Sequence, residues 1–479
     1  MRRETITFAF YILYLPHSPR SEQHLRFRLR KMPEAKAAMR PHSVELSSRC
    51  KVFMRPALPY LERALEAVFD EYSESNPHGR IPLAIAENKL NADSLLVRMS
   101  SFPGYTKDVL NYTDTTGLPT TKLAVAKFLG AHIFHSDTIL PSNLVISSGC
   151  TALLNELSIL LFEKGDSVLT PAPYYAAFDA DFLNIGGVTT VPIWPKSAPP
   201  PYTLDQTACD WMQDNMTVEA FDDAFQRAVT AGHRPKALLI VNPSNPTGVV
   251  HTKEQLLTAL IWARSNGLHL IVDEIYALSV YDSPVPFKSI ASILNNQLGD
   301  DVHVLWGLSK DFGASGLRVG VIYSQNQQLL KALSNINMAI QVSNLVQEMT
   351  VHILQDETFV MDYFSKMRHL LKNSFDIMHP RLIALGIKII SPCGAGLFCF
   401  ADFRSFLSEQ TFLGERILFN KMADMGVVLT PGESCHCAIP GFFRICFAWV
   451  PVSSLLEAIR RIEVMATSLS ESKSELKDN

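Results

Sequence analysis

Little in this 479-residue sequence is extreme, and each missing feature removes a class of protein. A charge bias is missing: 43 Lys and Arg against 47 Asp and Glu leave a formal net charge of −4. With those charges dispersed, no basic patch or stripe marks a nucleic-acid binder. Paired cysteine spacing is missing too. The eight cysteines, at 50, 150, 209, 393, 399, 435, 437 and 446, follow no disulfide-scaffold pattern and suit a reducing compartment. Cys435-His436-Cys437 does not match a common zinc motif and no second pair follows, so no metal is expected. No G-x-G-x-x-G follows an early strand, which sets aside a dinucleotide-binding fold. Internal repeats and low-complexity tracts are absent.

Long apolar runs are scarce as well. Ile6–Leu15 is apolar, with Arg2 and Arg3 before it and an Arg-rich stretch after it, but it is too short to span a bilayer comfortably. A signal peptide has this order of charges, yet no small-residue cleavage site follows cleanly. Residues 1–43 therefore read as an extension: a targeting or anchoring piece, or a segment upstream of the true start, with Met32 and Met39 as candidate starts. A cytoplasmic protein without stable membrane insertion is expected, with targeting or membrane association left open by those residues. The polar end, 469–479, reads as a frayed tail.

What is present is a large apolar share, 47% of residues, enough for a sizeable core and more than one domain. Three short runs, 237–241, 269–274 and 302–308, are apolar without alternation, the pattern of strands buried on both faces of a parallel sheet. Between the first two, Thr252 and Gln255 form a capping-box pattern. An apolar stripe at Leu256, Leu257, Leu260 and Ile261 follows, and Gly267 is placed to end the helix. This strand–helix–strand unit implies a mostly parallel sheet. An earlier unit, from "NLVISSG" through "CTALLNELSILLFEKGD" to "SVLTPAPYY", has a similar look. From about Thr350 a long amphipathic helix, short strands at "GLFCFADF" and "FFRICFAW", and a last helix near 452–468 suggest a smaller α+β domain.

Ligands of open parallel sheets sit outside the carboxyl ends of the strands. There the sequence offers Asn242 and Asn245 after the first run, Asp273 and Tyr276 at the end of the second, and Ser309, Lys310 and Arg318 after the third. One crevice would collect an amide, a carboxylate, a phenol, an amine and a guanidinium. Asp and Asn also cap helices after strands, so each alone reads as structural. Together they point to chemistry.

"SNPTG", "VDEIY" and "SKDFGASGLRVG" resemble the fold-type-I pyridoxal-phosphate enzymes, the class I/II aminotransferases. "AENKL" (86–90), "GLP" (117–119), "PAPYYAAFDADF" (171–182), "WGLSKDFG" and "GESCHCAIPGFFRICFA" (432–448) resemble the 1-aminocyclopropane-1-carboxylate (ACC) synthase-like branch. The likeness covers roughly Val44 to Ala466. It implies an α/β fold: a large domain at 105–345 with a mostly parallel sheet flanked by helices, and a smaller α+β domain at 346–468. Residues 44–104 would form an N-terminal arm and part of the small domain. It also implies a homodimer with its active site at the subunit interface.

The resemblance assigns roles. Lys310 would hold pyridoxal 5'-phosphate covalently and act as the base; Asp273 would face the ring nitrogen and keep it protonated. Asn245 and Tyr276 would bond the ring's phenolic oxygen. Tyr175, rather than Tyr174, would stack on the ring. The phosphate would sit on the backbone N–H groups of Cys150 and Thr151 at a helix start, with Ser309 and Arg318 beside it. Arg444 would grip the substrate carboxylate through a two-bond fork. Asn245 would also touch the substrate, and Glu87 matches a substrate-contacting position, though it would equally serve as a partner for Lys89 or as a loop cap.

Two positions depart from the family pattern. Thr115 stands where a tyrosine usually crosses to the partner's phosphate and, in ACC synthases, shapes the elimination chemistry; Tyr112 is out of register. Gly307 replaces a serine that usually adds a phosphate hydroxyl, a loss of about 1 kcal/mol. The expected activity is amino-group transfer from an amino acid to a 2-oxo acid. A carbon–sulfur lyase or ACC synthase is the alternative, and a catalytically idle relative acting as a binding partner is a third.

Overall fold

The computed structural model describes residues 44–475 except 55, 57, 198 and 200–206. The apolar run Ile6–Leu15, the two candidate starts and the last residues of the tail lie outside them. The chain divides after Arg55 into two units. In the first, Ser48–Phe53 is helical; all that follows concerns the second.

Its centre is a seven-stranded sheet: β1 (Leu144–Ser147), β2 (Asp166–Pro171), β3 (Thr189–Ile193), β4 (Arg234–Val241), β5 (His269–Asp273), β6 (Val302–Gly307) and β7 (Gly320–Ser324). The order across the sheet is β1-β7-β6-β5-β4-β2-β3. All neighbouring pairs are parallel except those made by β7, which runs antiparallel to both β1 and β6. Every residue of β1, β6 and β7 is buried. Double-sided burial is why these segments carry unbroken apolar runs rather than alternation.

Helices cover the faces. Those used below are α1 (Cys150–Leu160), α2 (Phe178–Gly186), α3 (Lys253–Ser265), α4 (Leu308–Asp311), α5 (Glu357–Ala384) and α6 (Val452–Glu475). The expected unit β4-α3-β5 is present with β4 and β5 parallel neighbours. The earlier unit is different. β1 and β2 are not neighbours: β7, β6, β5 and β4 stand between them, because β1 takes the sheet edge by pairing with the reversed strand β7. α6 continues to Glu475 rather than stopping near 468.

A second sheet is antiparallel, in the order β10-β11-β9-β8, built from β8 (Lys388–Ile389), β9 (Phe398–Asp402), β10 (Thr430–Pro431) and β11 (Phe442–Cys446). Arg444 lies on β11, flanked in register by Phe400 and Thr430. The early segment Ile81–Pro82 pairs in parallel with Val427–Val428, which leads "AENKL" toward the edge of the large sheet. Among the described residues no helix is long and apolar enough to cross a membrane.

The capping box read from sequence is present in both directions. The Thr252 hydroxyl accepts from the Gln255 N–H at 3.2 Å, and the Gln255 side chain accepts from the Thr252 N–H at 2.9 Å. Thr252→Ala removes one arm. A loss of about 1 kcal/mol of stability is expected, read as a lower denaturant midpoint with an unchanged slope.

Candidate functional site

The sheet delivers its reactive residues to one edge. Val241 is in register with Asp273, and Asp273 with Leu305, so the carboxyl ends of β4, β5 and β6 lie side by side. Asn242 and Asn245 follow β4, Asp273 closes β5, and α4 begins directly after β6 with Ser309 and Lys310. The reversed β7 brings its beginning here: Gly320 opposes both Gly307 and Ser147, which places Arg318 at the same edge. α1 starts just after β1, at Cys150.

A cleft of about 750 Å³, its mouth included, opens there. It is bordered by Glu87, Cys150, Thr151, Tyr175 and Asn245 on one part of its wall, and by Asp273, Tyr276, Ser309, Lys310 and Arg318 on the rest. Arg444 is reached through Asn245. Buried on β11, its guanidinium donates to Asn245 Oδ1 (2.9 Å), the Ala84 carbonyl (2.6 Å) and Thr430 Oγ1 (3.1 Å), while its Nε–H has no partner. Tyr174 and Tyr175 diverge. Tyr175 faces the cleft, whereas the Tyr174 hydroxyl donates to Asp179 and its ring stacks on His436 at 4.7 Å. Glu87 borders the cleft, and Lys89 lies instead over the Trp449 ring, 3.4 Å from its centroid.

Desolvation sets the charges. Burial pushes the Asp273 carboxyl up to about 7, opposed by the Ile275 N–H that it accepts at 3.2 Å and by the Lys310 charge. Burial pulls Lys310 below the ordinary ammonium range; Glu87 opposes this and Arg444 adds to it. The Lys310 Nζ donates to the Ala86 carbonyl at 2.6 Å. Its helix is anchored by the next residue. Asp311, fully buried, accepts from Ser279 Oγ (2.7 Å), Trp306 Nε1 (3.1 Å) and the Leu278 N–H (3.2 Å), which locks α4 to the turn after β5. Tyr276, also buried, stands well above the ordinary phenol range, so its hydroxyl keeps its proton, and Asn245 Nδ2 donates to it at 3.4 Å.

One corner is built for an anion. α1 presents free N–H groups at its start, where the helix dipole favours negative charge. Arg318, exposed and left-handed at φ 54°, donates to the Ser148 and Ser315 carbonyls and reaches across the α1 start. Gly149 (φ 94°) permits this, since a Cβ there would lie 2.3 Å from Arg318 Nη2.

Sequence reasoning missed Leu154, Phe178, Asp181, Ile275 and Ser315, which with Val241 at the end of β4 complete the wall. For Asp181 a signal existed: Phe178, Asp181 and Phe182 share one helical face, so a carboxyl sits on an apolar stripe.

The family model for aminotransferase class I and II matches residues 81–462. The chain belongs to that family. It is 33% identical over 412 residues to a 1-aminocyclopropane-1-carboxylate synthase of Cucurbita maxima, covering 82% of this chain and 84% of the relative. It is equally 33% identical, over 383 residues, to the human 1-aminocyclopropane-1-carboxylate synthase-like protein 1, covering 79% and 75%. Among solved structures, aspartate aminotransferases of Rhizobium meliloti (TM-score 0.69, 19% identity, 89% of this chain and 99% of that one) and Thermotoga maritima (0.66, 22%, 88% and 100%) share the fold.

The class I and II aminotransferases depend on pyridoxal phosphate, and so does this enzyme. Its cleft suits the group: an amine short of its usual basicity for an aldehyde, a buried carboxyl for a ring nitrogen, a flat aromatic wall, and an anion corner of helix start, hydroxyls and guanidinium.

Gly307 has a local reason. A Cβ there would sit 2.5 Å from the Val319 carbonyl oxygen and 3.2 Å from Gly320 Cα. Restoring the family's serine therefore strains the β6–β7 pair. Gly307→Ser is expected to lose about 1–3 kcal/mol of stability and to bind pyridoxal phosphate no more tightly, by thermal melting and fluorescence titration.

Proposed function

We propose that this enzyme transfers the amino group of an amino acid to a 2-oxo acid. Bound pyridoxal phosphate supplies an electron sink for the carbon that gives up its proton. The chain supplies the rest. Lys310 would hold the group through its amine and, as a free neutral amine, would take the proton from Cα; its lowered basicity leaves a larger neutral fraction for both tasks, and the ammonium so formed would return the proton. Asp273 would face the ring nitrogen, Asn245 and Tyr276 the ring oxygen, and Tyr175 the ring plane. The α1 start at Cys150 and Thr151, with Ser309 and Arg318, would hold the phosphate. Arg444 grips the substrate carboxylate, exchanging part of its present bonding to Asn245 and Ala84 for it. Glu87, which borders the cleft, contacts the substrate.

The observation that carries transfer over elimination is Thr115. Its hydroxyl donates to the Ser334 carbonyl of the same chain, and its own carbonyl accepts from Asn337. No aromatic ring occupies the position that the ACC synthase resemblance links to elimination, and Tyr112 is fully exposed. The relatives named as ACC synthases support elimination as the second reading.

The same proposal includes a homodimer in the cytoplasm and a division into a large domain at 105–345 and a small one at 346–468. The separation of the seven-stranded sheet from the four-stranded antiparallel sheet supports the division. Eight unpaired cysteines support a reducing compartment. Leu110, Tyr112 and Leu345 support a covering partner: they stand exposed on segments tied by Asn344, whose amide donates to the Val109 and Asn111 carbonyls.

Incubation with alanine, aromatic amino acids, cysteine conjugates and S-adenosylmethionine, with and without a 2-oxo acid, tests the reaction. Oxo-acid product that requires the added acceptor is expected. Thiol or ACC released without an acceptor overturns the reading.

A further inference from the structure

Asp181 is the one carboxyl of the cleft wall for which the roles above find no use. It lies on α2, 6% exposed, between Phe178 (1%) and Phe182 (0%), and its Oδ2 is buried without a hydrogen-bond partner. Its helix neighbour Asp179 has a clear structural task, accepting from the Tyr174 hydroxyl and pairing with His436 Nε2 at 2.6 Å. A first-turn acid that served only the helix dipole would gain by being exposed, as Asp179 is in part, and would lose by being buried. Asp181 instead shares the cofactor cleft with Asp273, whose charge it feels.

We infer that Asp181, whose buried Oδ2 has no hydrogen-bond partner, is a positioning residue that keeps its proton, while Asp273, which accepts the Ile275 N–H, is the carboxyl that offers its charge to the ring nitrogen. The inference rests on the pyridoxal-phosphate reading of the cleft. Two carboxyls in one desolvated space do not both ionise readily, and the one left neutral keeps a proton to donate. Other charges on the wall come from Lys310, Arg318 and Glu87, while Cys150, Tyr175 and Tyr276 remain neutral because burial raises each of them. Burial first, then the Asp273 charge, pushes Asp181 up to about 7.

The sign of the effect follows. The folded, cofactor-free protein keeps a proton on Asp181 that the unfolded chain has already lost, so stability falls as pH rises from the ordinary carboxyl range through about 7 and stays lower above it. Asp181→Asn removes that loss without changing shape. Relative to the wild-type chain, cofactor-free Asp181→Asn should gain roughly 2–4 °C in melting temperature between pH 5 and pH 8. In titrations of the cofactor-free proteins with pyridoxal phosphate at pH 7, Asp181→Asn should bind within about twofold of wild type and keep its visible absorbance band. Asp181→Leu, with no polar atom, should bind about tenfold more weakly (a single neutral hydrogen bond is worth about that factor). No pH-dependent gain for Asp181→Asn, or wild-type binding by Asp181→Leu, overturns the assignment. A wild-type chain that binds no pyridoxal phosphate overturns the cofactor reading and this role with it, whereas the melting arm reads the carboxyl alone.

Discussion

Desolvation of opposite charges in one cleft is the constraint from which the rest of this site follows. An amine and a carboxyl taken out of water at the edge of a buried sheet both drift toward neutrality, Lys310 downward and Asp273 upward. That state is costly for a folded protein and useful for a reactive one: a neutral amine can attack, and a proton-sharing carboxyl can hold a ring nitrogen. The structure maintains it by fixing the backbone around these groups. Asp311 clamps the short helix that carries Lys310, the Ile275 N–H holds the Asp273 oxygen, and Arg318 bridges two loops over a glycine.

The same constraint explains how the two sheets cooperate. Arg444 sits on the antiparallel sheet, yet its hydrogen bonds go to Asn245 beside the parallel sheet and to Ala84 in the early segment. The stretch around Tyr174 and Tyr175 is joined to the β10–β11 hairpin by the Tyr174 N–H, which donates to the Cys435 carbonyl. The Asp179–His436 pair makes a second link. His436, flanked by Cys435 and Cys437, is thus a tie between segments.

Much of the site was legible because the strands that carry it are buried on both faces. Unbroken apolar runs located β4, β5 and β6, and of the polar residues beyond them Asn245, Asp273, Tyr276, Ser309, Lys310 and Arg318 line the cleft, whereas Asn242 is buried away from it and accepts the His251 N–H. What pairing decides was not legible. β7 runs against its neighbours and separates β1 from β2, and five residues at "GVIYS" carry no mark of direction. Asp181 escaped for a different reason. An acid in the first turn of a helix reads as an ordinary dipole partner, and that reading masked the apolar face that Phe178 and Phe182 mark around it. At Gly307 the departure from the family was visible, but its cause, the nearness of the Val319 carbonyl, was not.

The central claim is that the amine at position 310 bears the cofactor. Borohydride reduction of the protein loaded with pyridoxal phosphate, followed by peptide mass spectrometry, measures this directly. The account predicts a single dominant pyridoxyl adduct on the peptide that contains Lys310. No adduct with the vitamin in excess, or a dominant adduct on a different lysine, would contradict it.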